Sequence, residues 1–190
     1  MAISLPLIHD NEILSRIRTG EEAAFETLFR EHYAGLCVFA TRILESRAVA
    51  EEIVQDVFLR LWERRNEWET TGSVSAYLYA AVRNRAFNRV RQDRAQQRWQ
   101  ERVIREHSAE PRGAESSAAD EHVRSDELAA AIERGIAELP PRCREAFVLR
   151  RQHHLSYAEI ARVMNIAPKT VEIQIGLALK SLRGKLAEWL

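Results

Sequence analysis

Leu155-Ser-Tyr-Ala-Glu-Ile-Ala-Arg-Val-Met-Asn-Ile-Ala-Pro-Lys-Thr-Val-Glu172 reads as two short helices separated by a sharp turn. Ser156 and Glu159 have the spacing of a capping box, in which the hydroxyl takes the backbone N–H three residues on and the carboxylate reaches back. Asn165 tolerates the left-handed conformation that ends a helix. Pro168 suits the first position of the next helix, where its missing N–H is no loss. Ile160, Ala161 and Met164 are expected to face inward, followed by Val171, Ile175, Leu179, Leu182 and Leu186 on the second helix.

The outward face of that second helix then carries Lys169, Thr170, Glu172, Ile173 and Gln174, with Lys180 and Arg183 further along. Two readings stand beside each other: a helical hairpin with a solvated polar face, and a helix-turn-helix whose second helix enters the major groove. The capping box, the turn and the proline-started helix together favour the second. On that reading Glu172 accepts from a cytosine amine, Gln174 pairs with adenine, and Thr170 or Ile173 touches a thymine methyl. Arg142, Arg144, Lys180 and Arg183 are assigned to phosphates.

Outward from this motif, apolar residues recur at helical spacing nearly everywhere and no stretch alternates as a half-buried strand does, so the chain is expected to be all-α. Ile13, Leu14 and Ile17 mark a short first helix. Phe25, Leu28, Phe29, His32, Leu36, Phe39, Ala40 and Ile43 mark a long second one. Ala50, Ile53, Val54, Val57, Phe58, Leu61 and Trp62 line a third, from about Arg47 to Arg65. After a break at Thr70 to Ser73, Ser75 is placed to cap a fourth helix through Leu78, Ala81, Val82, Phe87 and Val90. The pattern fades between Arg94 and Ser125 and resumes with Leu128, Ile132, Ile136 and Leu139. The expected organisation is two small helical domains, 1–93 and 126–190, joined by a flexible linker over 94–125.

The 190 residues carry no net charge, with 28 basic and 28 acidic side chains, but the neutrality is a cancellation. From Ala76 to Arg105 eight arginines face two acids, and from Glu106 to Glu127 seven acids face two arginines. Two distant cysteines, Cys37 and Cys143, point to buried thiols rather than a zinc site or disulfides. His153 and His154 have no partner at metal-ligand spacing and read as helix-end or surface residues. No metal, cofactor or catalytic constellation is expected. The absence of a long apolar run and of a signal-peptide start suggests a cytoplasmic protein.

Two separated stretches resemble the extracytoplasmic-function (ECF) group of the sigma-70 family. Ala50-Glu-Glu-Ile-Val-Gln-Asp-Val-Phe-Leu-Arg-Leu-Trp62 is similar to the family's core-binding helix. Leu139-Pro-Pro-Arg-Cys-Arg-Glu-Ala-Phe-Val-Leu-Arg150, leading into Leu155–Ala161 and Lys169–Glu172, is similar to its minus-35 domain. The resemblance implies a sigma factor that binds core RNA polymerase and directs it to promoters, not an enzyme. It also implies a role for the polar stripe Glu51, Glu52, Gln55, Asp56 and Arg60, which by itself is equally a solvated face: docking on the clamp helices of polymerase's largest subunit. The flap region would be the second contact on polymerase. The helix after Ser75 would read and melt the minus-10 element through Tyr77, Arg83, Asn84, Phe87, Asn88 and Arg91, since cations for phosphates and aromatics for unstacked bases are what a melted strand requires. Periodicity alone leaves Tyr77 and Phe87 open between core and base contact. The loop from Trp68 to Val74 would correspond to the family's pocket for a flipped base. Tyr77, Asn88, Ala167, Ile173 and Gln174 depart from the family's usual residues, which leaves the promoter sequence open.

By the same resemblance the partners are core polymerase, promoter DNA and an anti-sigma factor held at the membrane. The iron-citrate (FecI-like) subgroup is the nearest likeness, with a stress, envelope or nutrient response as the setting. The rival is a stand-alone helix-turn-helix regulator that binds a palindrome without polymerase. A 32-residue linker spans roughly 30 Å as a free coil, whereas promoter elements two helical turns apart lie roughly 70 Å from each other. The free chain should therefore bind promoter DNA weakly and the polymerase-bound chain tightly. A sequence-specific footprint of the chain alone at nanomolar concentration would contradict this.

Overall fold

The computed structural model describes residues 5–68, 73–105 and 124–187. Among these the elements are all helical: α1 (Leu5–Arg18), α2 (Glu22–Leu44), α3 (Arg47–Glu63), a single 3-10 turn (Arg65–Glu67), α4 (Val74–Arg105), α5 (Arg124–Ala137), α6 (Pro141–Arg151), α7 (Tyr157–Met164) and α8 (Pro168–Lys185). The all-α expectation is met. The chain falls into two compact units, one built on α1–α4 and the other on α5–α8.

In the first unit α2 and α3 pair antiparallel through an aromatic seam. Phe25 lies 4.9 Å from Trp62, Phe29 4.9 Å from Phe58, and Tyr33 accepts from Gln55, so the order along one helix reverses along the other. Leu28, Leu36, Val54 and Phe58 are buried beneath the seam, at about 1.5–3 kcal/mol for each large apolar side chain. Phe39 reaches across to Tyr79 at 5.3 Å and joins α4 to this pair. Cys37 is buried and its thiol is pushed up by desolvation, as befits a packing residue.

The chain leaves α1 through Gly20 at φ +84, a left-handed position that a side chain would strain, with Glu21 N donating to Arg16 O. Arg18 Nε then donates to the carbonyl of Trp68, tying α1 to the end of the 3-10 turn.

Two expectations are corrected here. The cap of α4 is Ser73, whose Oγ accepts from Ala76 N at 3.2 Å, and not Ser75, which lies inside the helix. Asp10 of α1 supplies a second acceptor to Val74 N at 3.0 Å, so a residue 64 positions away helps to fix the start. The proposed linker 94–125 is helical at both ends. From Arg91 to Gln100 the residues are mostly arginine, glutamine and alanine with neither Gly nor Pro, and α4 continues through them to Arg105. Its middle, about His107 to Glu121, lies outside the described residues.

In the second unit Ile136, Leu139, Cys143, Ala146, Leu149 and Leu155 are buried together with Val171, Ile175, Ala178 and Leu182 of α8. Leu179, expected in this core, is 40% exposed. At 100° per residue it sits about 80° from Val171, whereas Ala178 sits about 20° away and takes the inward place. Leu128 is also exposed, about two turns before the buried Ile136 of α5. Lys185 at the end of α8 bonds Glu138 after α5, and that bond holds the Glu138 carboxyl below its usual range.

Ser73→Ala should lower the stability of the chain by about 1 kcal/mol, and Ser75→Ala by less than about 0.5 kcal/mol. Denaturant titration of the two variants checks this order.

Candidate functional site

Three surfaces hold the residues singled out in the sequence. On α3, burial of the Ile53, Val54, Val57, Phe58 and Leu61 face turns Glu52, Gln55 and Arg60 to solvent and leaves Glu51 and Asp56 half-buried. The stripe is structured by its own ion pairs: Glu51 takes Arg47 Nε at 2.8 Å, and Asp56 takes Arg60 Nε at 3.2 Å. Asp56 also pairs with Arg85 of α4, a contact between helices that no local pattern foretells. Leu59, one turn on from Gln55, is 56% exposed and belongs to this surface. A lone leucine in an amphipathic helix reads as core, so pattern alone passes over it.

On α4, Ala76, Leu78, Tyr79, Val82 and Ala86 are buried. The opposite face presents Asn84, Asn88 and Arg91. Tyr77 and Phe87 are not core residues, since both are exposed, at 40% and 39%. Tyr77 leans on the buried Trp68 at 5.3 Å, and Arg83 stacks over Phe87 at 4.7 Å. A guanidinium on a ring that is itself open to solvent suits contact with stacked bases and phosphates at once. Arg89 is occupied by Asp93 at 3.0 Å. A cleft of about 350 Å³ opens between α3, the 3-10 turn and α4, lined among others by Arg60, Arg64, Arg85, Trp68 and Tyr77. Residues 69–72 of the adjoining loop lie outside the described residues.

The helix-turn-helix is built as its sequence suggests. Ser156 N donates to Glu159 Oε2 at 2.7 Å and Glu159 N to Ser156 Oγ at 3.3 Å, a complete capping box. Asn165 adopts φ +53 and Ile166 N donates to Ala161 O at 2.9 Å, which closes α7. Pro168 opens α8 after Ala167, which offers no side-chain cap. Ile160, Ala161 and Met164 are buried. Arg150 donates to Leu155 O at 3.0 Å and lies over the Tyr157 ring, steadying the approach to α7.

On α8 Lys169, Glu172, Ile173, Lys180 and Arg183 are exposed, and Thr170 is half-exposed. Lys169 and Glu172 hold each other at 2.8 Å. Gln174 departs from the expectation of an outward residue. It is half-buried, and its covered Oε1 finds no partner among the described residues, because position 174 borders the Val171–Ala178 seam. Arg142 is exposed, but Arg144 is not a free cation: its Nη2 donates to the carbonyls of Ala137 and Leu139, at 3.0 Å to the latter. These are orphan acceptors where α5 ends, and a guanidinium there satisfies both.

The pattern of Sigma-70 region 2 matches residues 28–96, and that of Sigma-70, region 4, matches residues 129–182. The chain belongs to the sigma-70 family. The two matches follow the two units, with α2–α4 carrying region 2 and α5–α8 carrying region 4. Among curated relatives, RNA polymerase sigma factor CarQ of Myxococcus xanthus is 28% identical over 92% of this chain and 96% of its own length. ECF RNA polymerase sigma factor SigK of Mycobacterium tuberculosis H37Rv is 26% identical over 92% and 91%. Similar folds are found in CnrH bound to the cytosolic domain of CnrY (TM-score 0.64, 20% identity, 94% of this chain and 97% of that one) and in RpoE bound to the anti-sigma factor NepR from Bartonella quintana (TM-score 0.60, 20% identity, 86% and 96%). The sigma factor is of the ECF group, and it directs RNA polymerase to promoters.

Lys180→Gln should lower the slope of log affinity against log salt for holoenzyme on promoter DNA by about 0.9, with stability unchanged within about 0.5 kcal/mol. Arg144→Gln should do the reverse, destabilising by about 1–2 kcal/mol with the salt slope intact. Filter binding across a salt series, beside denaturant titration, separates the two.

Proposed function

We propose that the first unit carries both the polymerase contact and the melted-strand contact, while the second anchors the complex upstream at the minus-35 element. The observation that carries this is the pairing of α3 and α4 in one unit. The polar stripe of α3 and the basic, aromatic face of α4 point out of the same core, and Asp56 and Arg85 join them.

On this reading Glu51, Glu52, Gln55, Asp56 and Arg60, with Leu59 added, dock on the clamp helices of the largest polymerase subunit. Exposed Leu59 gives the stripe an apolar side chain that docking would bury. Tyr77, Arg83, Asn84, Phe87, Asn88 and Arg91 take the minus-10 strand. The cleft beside Trp68 and Tyr77 supports a pocket for an unstacked base, with arginines at its wall to meet the flanking phosphates.

In the minus-35 unit Lys169, Thr170, Glu172 and Ile173 face base edges, and Arg142, Lys180 and Arg183 face phosphates. Gln174 contributes from the edge of the core, and Arg144 contributes through the α5–α6 turn. The flap region of polymerase is the partner proposed for this unit.

An anti-sigma factor is the further partner. Two proteins of similar fold are captured in complexes, the sigma factor RpoE with the anti-sigma factor NepR and CnrH with the cytosolic domain of CnrY. On the same reading the regulator sits at the membrane, the site of action is cytoplasmic, and the role is FecI-like, in an envelope, stress or nutrient response. Among the described residues no helix is long and apolar enough to cross a membrane.

In vitro transcription with core polymerase on a promoter library tests the reading: the chain should add initiation at a discrete set of templates. Initiation at none, or tight palindrome binding without polymerase, would refute it. Within that assay Glu52→Arg should weaken core binding about tenfold without altering the unfolding midpoint.

A further inference from the structure

Arg94, Arg98 and Trp99 fall in the segment that composition assigns to a linker, yet they ride on α4 as a continuation of its DNA-facing side. At 100° per residue, Asn84, Asn88, Arg91, Arg94, Arg98 and Trp99 share an arc of about 140°. All six are exposed. Asn84 and Trp99 are about 22 Å apart along the axis at 1.5 Å per residue. The match to region 2 ends at residue 96, so Arg98 and Trp99 lie beyond it.

Two features say what this face is for. Asp93 is the one acid in the sequence from 84 to 100; it lies on the other side of the helix, neutralised by Arg89. From 84 to 100 every charge on this face is therefore positive. At 65% exposure, Trp99 is also the most exposed large apolar side chain among the described residues. An indole held open beside guanidinium groups matches the platform on which an unpaired base stacks while its phosphates are held.

We propose that this face is one continuous track for a single DNA strand. It would extend the strand contact about 12 Å past Arg91, with Arg94 and Arg98 on phosphates and Trp99 against an unpaired base at the edge of the melted region. The proposal rests on the sigma-factor reading of α4. The occupant is an unpaired strand because a duplex keeps its base faces stacked and offers the indole no partner.

The test uses holoenzyme on a promoter fragment from which the unsubstituted chain initiates, prepared both as a full duplex and with a mismatched bubble. Trp99→Ala should weaken retention on the bubble roughly tenfold, while Trp99→Phe keeps it within about twofold. Binding to the full duplex and to core polymerase should be unchanged. Arg94→Gln and Arg98→Gln should each lower the salt slope on the bubble by about 0.7. Unchanged bubble retention by Trp99→Ala overturns the proposal, as does an equal loss on duplex and bubble. A loss of core affinity overturns it as well and marks the face as a protein contact. If the unsubstituted chain fails to initiate with core polymerase on any template, the sigma reading falls first and takes this proposal with it.

Discussion

The aromatic seam of Phe25, Phe29, Phe58 and Trp62 decides how the first unit works. Aromatic pairs at 4.9 Å add about 0.5–1.5 kcal/mol each beyond their buried area, and they fix which side of α3 turns inward. Once that side is set, period 3.6 leaves Glu52, Gln55, Leu59 and Arg60 outside. Phe39 against Tyr79 passes the constraint on to α4, so that Asn84, Asn88 and Arg91 emerge away from the core. The two faces proposed to dock on polymerase and to hold a strand are thus both by-products of one packing choice.

The second unit depends less on bulk and more on closing helix ends. With α7 only eight residues long, its own hydrogen bonds are too few to hold it. Ser156 and Glu159 close one end, Asn165 the other, and Arg144 closes the end of α5. Among these groups Arg144 is the one that a reading by charge assigns to DNA. Its side chain is more valuable to two stranded carbonyls than to a phosphate that water screens.

Much of this was legible in the residues. The capping box, the asparagine turn and the proline start each have a local mechanism, so they were readable without tertiary knowledge. The inward faces of α2 and α3 were readable because large apolar side chains mark them. Failures arose where a small residue or a distant partner decided the outcome. Ala178 carries less signal than Leu179, though geometry prefers it inside. Ser73 caps α4 because Asp10 approaches from another helix. The run from Arg94 reads as linker since its apolar residues are few, yet helix needs few when arginine, glutamine and alanine propagate an existing one. Gln174 and Arg144 were misplaced for the same reason: a polar side chain near a core edge has two places to go, and periodicity does not choose.

Asp56 has a double engagement. Its carboxylate meets Arg60 along α3 and Arg85 across to α4, so it borders both working surfaces of the unit. Any change there is pleiotropic. A substitution that tunes the grip on one macromolecule also frees a guanidinium beside the other, and the two effects will not add as independent ones do. A change at any one of positions 56, 60 and 85 therefore alters what the other two can bond.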